Sequence, residues 1–390
     1  MRRFISSSLA SACILALSTG ARADGFGDVA HIRDDEPALT LTPASGDASL
    51  ALTPRASMQL RAALPAGEAT RTPARGDFER SAGLSIRRVR VGLDVALLTT
   101  LTAHVSTDLI DDLTPAGAKT PVAQAYANFD ARMFQLRAGF LRVPFTRHAM
   151  VDETRQVFLE APIAWRADRQ NLGRGPVPSM LPDRRAGAVM HEDYGLFSFA
   201  AGAFSGGGAG SPEVGSSALF TGRVELTPWM ALPAEGAFFK DDYEARSLRG
   251  GLSVGGLGRT GPNGSTRAAS AAVTLAYRGL YVCAEGVIGV GVTPGVAPDV
   301  TQRALTLDLA YRFPWALQGV ELGLRGDVWS TTREFGDGAS DQRSLSAVAN
   351  LYAWRHRVKA SALLRGTKSL TALGELRDRQ EAVAELTVGF

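Results

Sequence analysis

Apolar and polar residues alternate with a period of two along most of this chain. The clearest case begins at Val89, where Val89, Val91 and Leu93 alternate with Arg90 and Asp94. Successive side chains of a β-strand point to opposite faces, so such a segment has one apolar and one polar face. The pattern predicts a chain built of strands. After the first residues, no run of about 18 apolar residues, the length of a membrane-spanning helix, occurs.

The alternation recurs in about sixteen segments of roughly ten residues, the length that a tilted strand needs to cross a bilayer. Boundaries read from one sequence shift by a few residues, so fourteen or eighteen strands stay open as alternatives. The segments lie at 58–64, 89–97, 101–109, 123–129, 134–140, 186–190, 197–203, 218–226, 248–254, 273–277, 280–288, 305–313, 320–328, 345–351, 358–364 and 382–390.

Charged residues on the polar face of these segments bear on the choice between two all-β architectures. A soluble β-sandwich also has wet faces, but one of this size would need two domains, and no linker interrupts the middle of the chain. A closed barrel removes edge strands and gives the charges a water-filled lumen. We therefore predict an all-β fold, a transmembrane antiparallel β-barrel over residues 55–390, embedded in the lipid of the bacterial outer membrane.

The two ends of the chain carry signals that agree with export to that membrane. Residues 1–23 have a basic start, an apolar stretch and an Ala-Arg-Ala cleavage site, which predict a signal peptide. A lipoprotein signal ending at Cys13 fits less well, because the apolar run continues past it. Residues 24–54 lack periodicity and predict a flexible periplasmic lead-in. The last strand ends on Phe390, through which we expect the barrel assembly machinery to recognise the chain.

Composition excludes several other classes. The chain has 42 basic and 39 acidic residues, and the expected signal peptide holds Arg2, Arg3 and Arg22 and no acid, so the mature chain is near neutral. Without Cys13, Cys283 alone remains and no internal disulfide can form. No basic block with interleaved aromatic residues predicts nucleic-acid binding. No histidine or cysteine pair has metal-ligand spacing, so we expect neither a metal nor a cofactor.

The segment 142–185 interrupts the alternation and is the candidate constriction loop. It holds eight arginines and five acids, an excess of +3 in an otherwise balanced chain. Its aromatic residues, such as Phe158 and Trp165, argue against disorder because they need a surface to pack on. We predict that it folds into the lumen; the alternative is an ordinary extracellular loop.

Several motifs resemble the phosphate-selective porin O and P family between Arg87 and Gly208. The stretch "FQLRAGFLRVPF", Phe134 to Phe145, resembles that family's entry into its third loop, with Arg142 at the usual lysine. "SIRRVRVGLD" resembles its arginine-rich strand and "GLFSFAAGAFSGGG" a later strand end. The chain departs from the family at "DRRAGAV", from Asp183, and in lacking a lysine-rich pore lining.

The resemblance implies a homotrimeric porin of sixteen strands whose third loop folds inward. The predicted function is diffusion of small anionic solutes, phosphate-like ones included, through an arginine-lined constriction, since fixed cations lower the cost of desolvating an anion. Because the mature chain is near neutral, we expect weak to moderate selectivity. The candidate pore-lining and anion-binding residues are Arg88, Arg90, Arg137, Arg142, Arg166 and Arg169.

Two alternatives from other classes stay open. A non-conducting barrel used for adhesion or as a scaffold would have much the same sequence. An outer-membrane hydrolase would need a serine, a histidine and an acid or amide held together. His104 and Ser106 share a polar face, but residues two apart on a strand are roughly 7 Å apart, which predicts no direct hydrogen bond. We therefore expect no catalytic residues and no enzymatic activity.

Overall fold

The computed structural model describes most of the chain from residue 27 onwards. The described residues are 27–28, 32–33, 36–37, 39–42, 50–67, 83–97, 100–111, 122–131, 134–150, 156–159, 162, 184–194, 196–205, 217–228, 248–262, 264–293, 296–313, 319–335, 339–353, 358–371 and 376–389.

Four short strands precede the main sheet, and sixteen strands form it. The short strands are β1 (Gly27–Asp28), β2 (Ile32–Arg33), β3 (Glu36–Pro37) and β4 (Leu39–Thr42). The first half of the main sheet consists of β5 (Leu50–Gly67), β6 (Gly83–Leu97), β7 (Leu101–Asp111), β8 (Val122–Asp130), β9 (Gln135–Arg142), β10 (Arg184–Asp193), β11 (Phe197–Ser205) and β12 (Ala218–Leu226). The second half consists of β13 (Arg249–Gly261), β14 (Gly264–Tyr277), β15 (Leu280–Thr293), β16 (Val296–Arg312), β17 (Val320–Phe335), β18 (Ala339–Ala353), β19 (Val358–Thr371) and β20 (Leu376–Gly389).

The sixteen strands close into one antiparallel barrel. Each strand from β5 to β20 pairs with its sequence neighbours, and β20 pairs back with β5, for example Leu386 with Leu60. Closure leaves no edge strand in the barrel wall. The prediction of an all-β barrel of about sixteen strands is confirmed, and each predicted segment falls in one strand apart from a few end residues.

The two faces of the wall follow the alternation in the sequence. On β16, Leu305, Leu307 and Leu309 are 55%, 51% and 43% exposed on the outside, whereas Thr306 and Asp308 between them are buried on the inside. An apolar outer surface around a charged interior is the arrangement of outer-membrane barrels, and it assigns the protein to the bacterial outer membrane. Among the described residues, no helix has the length and apolar character to cross a membrane.

A β-bulge changes the face of one arginine. Across β5 and β6, Gln59 pairs with Arg88 and Leu60 pairs with Ile86, so Arg87 is an extra residue on β6. Both Arg87 and Arg88 are buried. Strict alternation places Arg87 on the lipid side with Val89; the bulge brings it to the inside, because a bulged strand carries two residues opposite one.

The beginning of the barrel differs in detail from the expected boundary. Strand β5 starts at Leu50, inside the stretch 24–54, and β4 pairs with it through Leu39 and Leu52. The expected signal peptide, residues 1–23, and Phe390 lie outside the described residues, so both stay predictions.

Candidate functional site

The site is built around two stretches that follow β9, residues 143–150 and 156–159, which we call the inner segment. Strand β9 ends at Arg142, and the chain turns at Pro144 and Phe145 into a four-residue helix, α1 (Arg147–Met150). The Thr146 hydroxyl accepts a 3.3 Å hydrogen bond from the Ala149 backbone N–H and so caps the helix. The turn and the first half of the helix, Arg147 and His148, are buried, so this stretch packs against the inner wall.

Two strands of the barrel wall bind the carbonyl groups of the turn. The Thr221 hydroxyl on β12 donates to Pro144 O at 3.0 Å, and the Ser270 hydroxyl on β14 donates to Phe145 O at 2.8 Å. Gly255 on β13 makes this approach possible, since a Cβ there would lie 2.2 Å from Phe145 O. A glycine in a strand interior commonly marks such a close approach of another backbone.

The helix start is fixed by a carboxylate on β15. Glu285 accepts hydrogen bonds from the backbone N–H groups of Arg147 and His148, the latter at 3.0 Å, and from the His148 ring at Nδ1. The other ring nitrogen, Nε2, lies 3.1 Å from a carboxylate oxygen of Asp308 on β16. Asp308 in turn accepts two hydrogen bonds from Arg325, at 2.6 and 2.8 Å. The imidazole thus lies between two buried acids.

His148 is a cation in this position. Burial disfavours the charged imidazolium, but the hydrogen bonds to Asp308 and Glu285 outweigh that effect and raise the pKa of His148 to about 10. Its charge helps to compensate the two buried carboxylates, of which Asp308 is also paired with Arg325. The ring therefore links the inner segment to the wall by charge as well as by hydrogen bonds.

The second stretch, 156–159, presents its carbonyl groups to basic and amide side chains. The Lys359 ammonium on β19 donates to Gln156 O at 2.6 Å, and the Asn350 amide on β18 donates to Val157 O at 2.8 Å. On β6, the bulged Arg87 donates to Leu159 O at 2.7 Å. A carbonyl buried without a partner costs free energy, so each of these bonds favours the docked position.

Apolar side chains of the inner segment fill two clusters inside the barrel. Phe158 lies under the Arg325 guanidinium, with 4.2 Å from Cζ to the ring centroid. One cluster joins Val157, Phe158 and Leu159 to Ala63, Ala276, Tyr281, Cys283, Ala310, Val348, Leu363 and Val383. The other joins Val143 and Phe145 to Leu141, Val189, Phe204, Leu219, Leu257, Val287 and Trp329.

The described contacts of the inner segment thus run around the inner face from β12 to β20 and β6. They agree with a segment that folds into the barrel. Residues 151–155, 160–161 and 163–183 lie outside the described residues, so the inward fold of the whole stretch 142–185 stays a prediction.

The predicted pore-lining arginines are in varied surroundings. Arg88 is buried in the inner wall. Arg90 forms a two-point ion pair with Asp108 at 2.6 and 2.8 Å. Arg137 lies over the Tyr126 ring, 4.7 Å from its centroid, and Arg142 donates to Ala149 O at 3.3 Å. The remaining two, Arg166 and Arg169, lie outside the described residues.

Several inner residues escaped the sequence reasoning because their partners lie far away in the chain. Arg61 and Arg87 share Glu385, at 2.7 and 3.2 Å, across a separation of about 300 residues. The alternation identifies the inward face of each strand, but the register that pairs these charges is not visible in one sequence. The result is a lumen in which many described arginines are paired with acids.

One expectation about the inner wall was wrong. The His104 ring lies 3.2 Å from the Ser106 hydroxyl through Nε2, and its Nδ1 contacts Asp94. Residues two apart on a strand are about 7 Å apart at the backbone, but an imidazole is long enough to cover that gap when it leans along the strand.

Comparison with known proteins gives a fold and no family. No protein-family model matches the chain, and no curated protein matches it. Among solved structures, an anion-selective porin from Comamonas acidovorans aligns with a TM-score of 0.59 and 11% identity over 87% of this chain and 100% of that chain. The channel DcaP of Acinetobacter baumannii aligns at 0.55 and 10% identity over 90% and 99%.

A third solved structure is the trimer form of OmpT, an outer membrane protein of Vibrio cholerae. It aligns with a TM-score of 0.55 and 10% identity over 87% of this chain and 99% of that chain. The chain therefore has the fold of outer-membrane porins. Membership in the phosphate-selective porin O and P family is not established by these likenesses.

Proposed function

We propose that the protein is an outer-membrane porin through which small anionic solutes diffuse. The observation that carries the proposal is the charged inner face of a closed barrel, with an inner segment docked on it beside Arg137 and Arg142. A solute passing the docked segment loses part of its hydration, and fixed cations at that level lower the cost for an anion. Diffusion of this kind needs no catalytic residue.

Several observations support anions over cations. The stretch 142–185 carries an excess of +3. One of the solved structures that align with this barrel is an anion-selective porin from Comamonas acidovorans. Because many inner arginines are paired with acids, as Arg90 is with Asp108, we propose weak to moderate selectivity. Guanidinium groups bind phosphate and carboxylates at two points, so phosphate-like solutes are the preferred candidates.

We further propose a homotrimer, by analogy with the trimer form of OmpT. The motifs from Arg87 to Gly208 support kinship with the phosphate-selective porins. Assembly into the membrane is proposed to use Phe390. Mass spectrometry of the intact complex in detergent tests the trimer, and replacement of Phe390 by a charged residue should lower the yield of heat-modifiable barrel.

The decisive experiment is the reversal potential of purified protein in a planar bilayer under a salt gradient. We expect a reversal potential whose sign shows that anions permeate better than cations. Added phosphate should reduce the chloride current. Arg142→Gln should lower the anion-to-cation permeability ratio. Arg278→Gln, in the turn between β14 and β15, is the matched control and should leave the ratio unchanged. A potential of the opposite sign contradicts the proposal.

A non-conducting barrel is the second candidate, and the interior supports it in one respect. The clusters around Phe145 and Phe158 place apolar side chains where a wide pore holds water. A correctly folded barrel without measurable conductance would favour this candidate, in which the inner segment acts as a plug.

A further inference from the structure

The hydrogen bonds around His104 have the arrangement of a serine hydrolase centre. Asp94 lies directly opposite His104 in the pairing of β6 with β7, and its Oδ1 contacts Nδ1 of the ring. Ser106, on the same inner face, has its hydroxyl 3.2 Å from Nε2. An acid that accepts from Nδ1–H favours the tautomer in which Nε2 carries a lone pair. That lone pair can accept the proton of the serine hydroxyl, as a general base requires. We propose that Ser106, His104 and Asp94 form an acyl-transfer centre on the inner wall.

The base is held in place by neighbours that do not take part in the reaction. The His104 ring stacks on Tyr126 with 5.2 Å between centroids. The Arg137 guanidinium lies over the same Tyr126 ring, 4.7 Å from its centroid. Tyr126 also packs against the apolar cluster of Val143 and Phe145. Arg55 contacts the second oxygen of Asp94, which fixes the carboxylate. A base held by packing and second contacts needs little reorganisation during a proton transfer.

The surroundings of Ser106 limit the substrate. Opposite it on β6 is Gly92, which has no side chain to cover the hydroxyl, and on β8 is Gln124, whose amide is the candidate donor to a developing oxyanion. Ser106 itself is 5% exposed, so only a small acyl group reaches it. The centre faces the lumen and not the lipid. The substrate class is therefore water-soluble, short-chain carboxylic esters that enter the barrel, not phospholipids.

The reaction balances with water as the only co-reactant. The Ser106 oxygen bonds to the ester carbonyl carbon while its proton passes to His104 Nε2, and the carbonyl electron pair moves to oxygen. On collapse, the alcohol leaves with that proton and an acyl-Ser106 ester remains. His104 then deprotonates a water molecule that attacks this ester, which releases the carboxylic acid and restores the serine hydroxyl.

The test is covalent labelling of folded, purified protein with a small fluorophosphonate, followed by peptide mapping. We expect one adduct at Ser106 that is absent in Ser106→Ala. His104→Gln and Asp94→Asn should slow labelling by about a hundredfold or more, the size of a general-base contribution. Ser361→Ala is the matched control and should label normally, since its strand partners are Asn350 and Glu385 and provide no base of this kind.

Hydrolysis of p-nitrophenyl acetate by the same preparations gives the second measurement. The native protein should release product faster than Ser106→Ala, and heat-modifiability in electrophoresis verifies that each variant is folded. Folded native protein that stays unlabelled, labelling at another residue, or equal labelling of His104→Gln would overturn the proposal. None of these outcomes depends on conductance, so the centre and the porin function are tested separately.

Discussion

The two parts of the inner segment are held to the barrel wall by different sets of side chains. In the first part, hydroxyl groups bind the carbonyls of the turn and carboxylates bind the helix start. Residues 143–150 bind carboxylates, because Glu285 accepts two backbone N–H groups and both Glu285 and Asp308 contact the His148 ring. Residues 156–159 present backbone carbonyl oxygens, which accept hydrogen bonds from donor side chains on the wall.

Those donors are Arg87, Lys359 and the Asn350 amide, and Phe158 adds an apolar contact under a guanidinium. Acids stabilise exposed N–H groups at a helix start, and cations stabilise exposed carbonyls, for the same electrostatic reason. The comparison teaches that the docking of the first part depends on the charge of a histidine, whereas the docking of the second part depends on apolar packing and on donors from Arg87, Lys359 and Asn350.

The largest effect is expected from Glu285→Ala. It removes the acceptor of both helix-start amides and leaves the His148 cation beside Asp308 alone. Loss of one member of a buried charged pair costs about 3–5 kcal/mol. We expect the stretch 143–150 to undock, with faster amide exchange there and a rise in single-channel conductance.

The matched control for that change is Glu381→Ala. Glu381 is an inner-face carboxylate paired with Arg365 on the neighbouring strand. Its loss should leave amide exchange in 143–150 at the native rate. Equal exchange in the two variants would contradict the assignment of Glu285 as the anchor.

Phe158→Ala should weaken the docking of residues 156–159, because it removes apolar packing without removing a charge. Truncation of a buried phenylalanine costs about 3 kcal/mol or more, because it leaves a cavity. Phe158 is buried with Val157 and Leu159 in the first cluster. Exchange mass spectrometry should show faster exchange in 156–159 and little change in 143–150. Phe220→Ala, on the exposed outer face, should change neither part; undocking of both parts together would show that the two anchors are not independent.

The sequence predicted the wall well and the anchors poorly, for a physical reason. A period of two is a local property, so each strand and its inward face can be read from the residues themselves. A register between strands is not local. Arg61 and Glu385 are 324 positions apart, and no pattern in a single sequence predicts that they form a pair.

Local departures from the period of two are also hard to predict from the sequence. The extra residue in β6 turns Arg87 to the inside, where it binds both Leu159 O and Glu385. A run of two arginines in an alternating strand is a signal that could have suggested the bulge, because one of the two charges must otherwise face lipid. The reach of His104 to Ser106 was missed because backbone spacing was used in place of side-chain length.

The pH dependence of amide exchange tests how much the charge of His148 contributes to the docking of residues 143–150. The pKa of His148 is raised from 6.5 to about 10 in the docked state. The stabilisation from its charge is therefore fully present below pH 6.5 and is lost as pH rises through 10. We expect exchange in 143–150 to be slow at pH 6 and to quicken, relative to the intrinsic amide rate, toward pH 10. In His148→Gln this extra dependence should disappear; its persistence would assign it to another group.

The smallest effect is expected from Asn350→Ala. The Asn350 amide donates to Val157 O at 2.8 Å and to Glu321 Oε1 at 2.6 Å. Both acceptors keep a second donor, since Lys359 lies 3.4 Å from Val157 O and the Tyr352 hydroxyl 2.9 Å from Glu321. Two hydrogen bonds are lost, but neither acceptor is left without a donor, so the loss should be about 1 kcal/mol.

The same reasoning predicts how that loss grows when the second donor is also removed. In Lys359→Met alone, the Asn350 amide still binds Val157 O, whereas in the double variant this carbonyl loses both described donors. The cost of the double variant should exceed the sum of the single costs by about 1 kcal/mol, because only then is the buried carbonyl left without either of them. Exchange of the amides in 156–159 measures each corner of the cycle. Strict additivity would show that the two donors do not share the carbonyl and that Lys359 acts through Gln156 O alone.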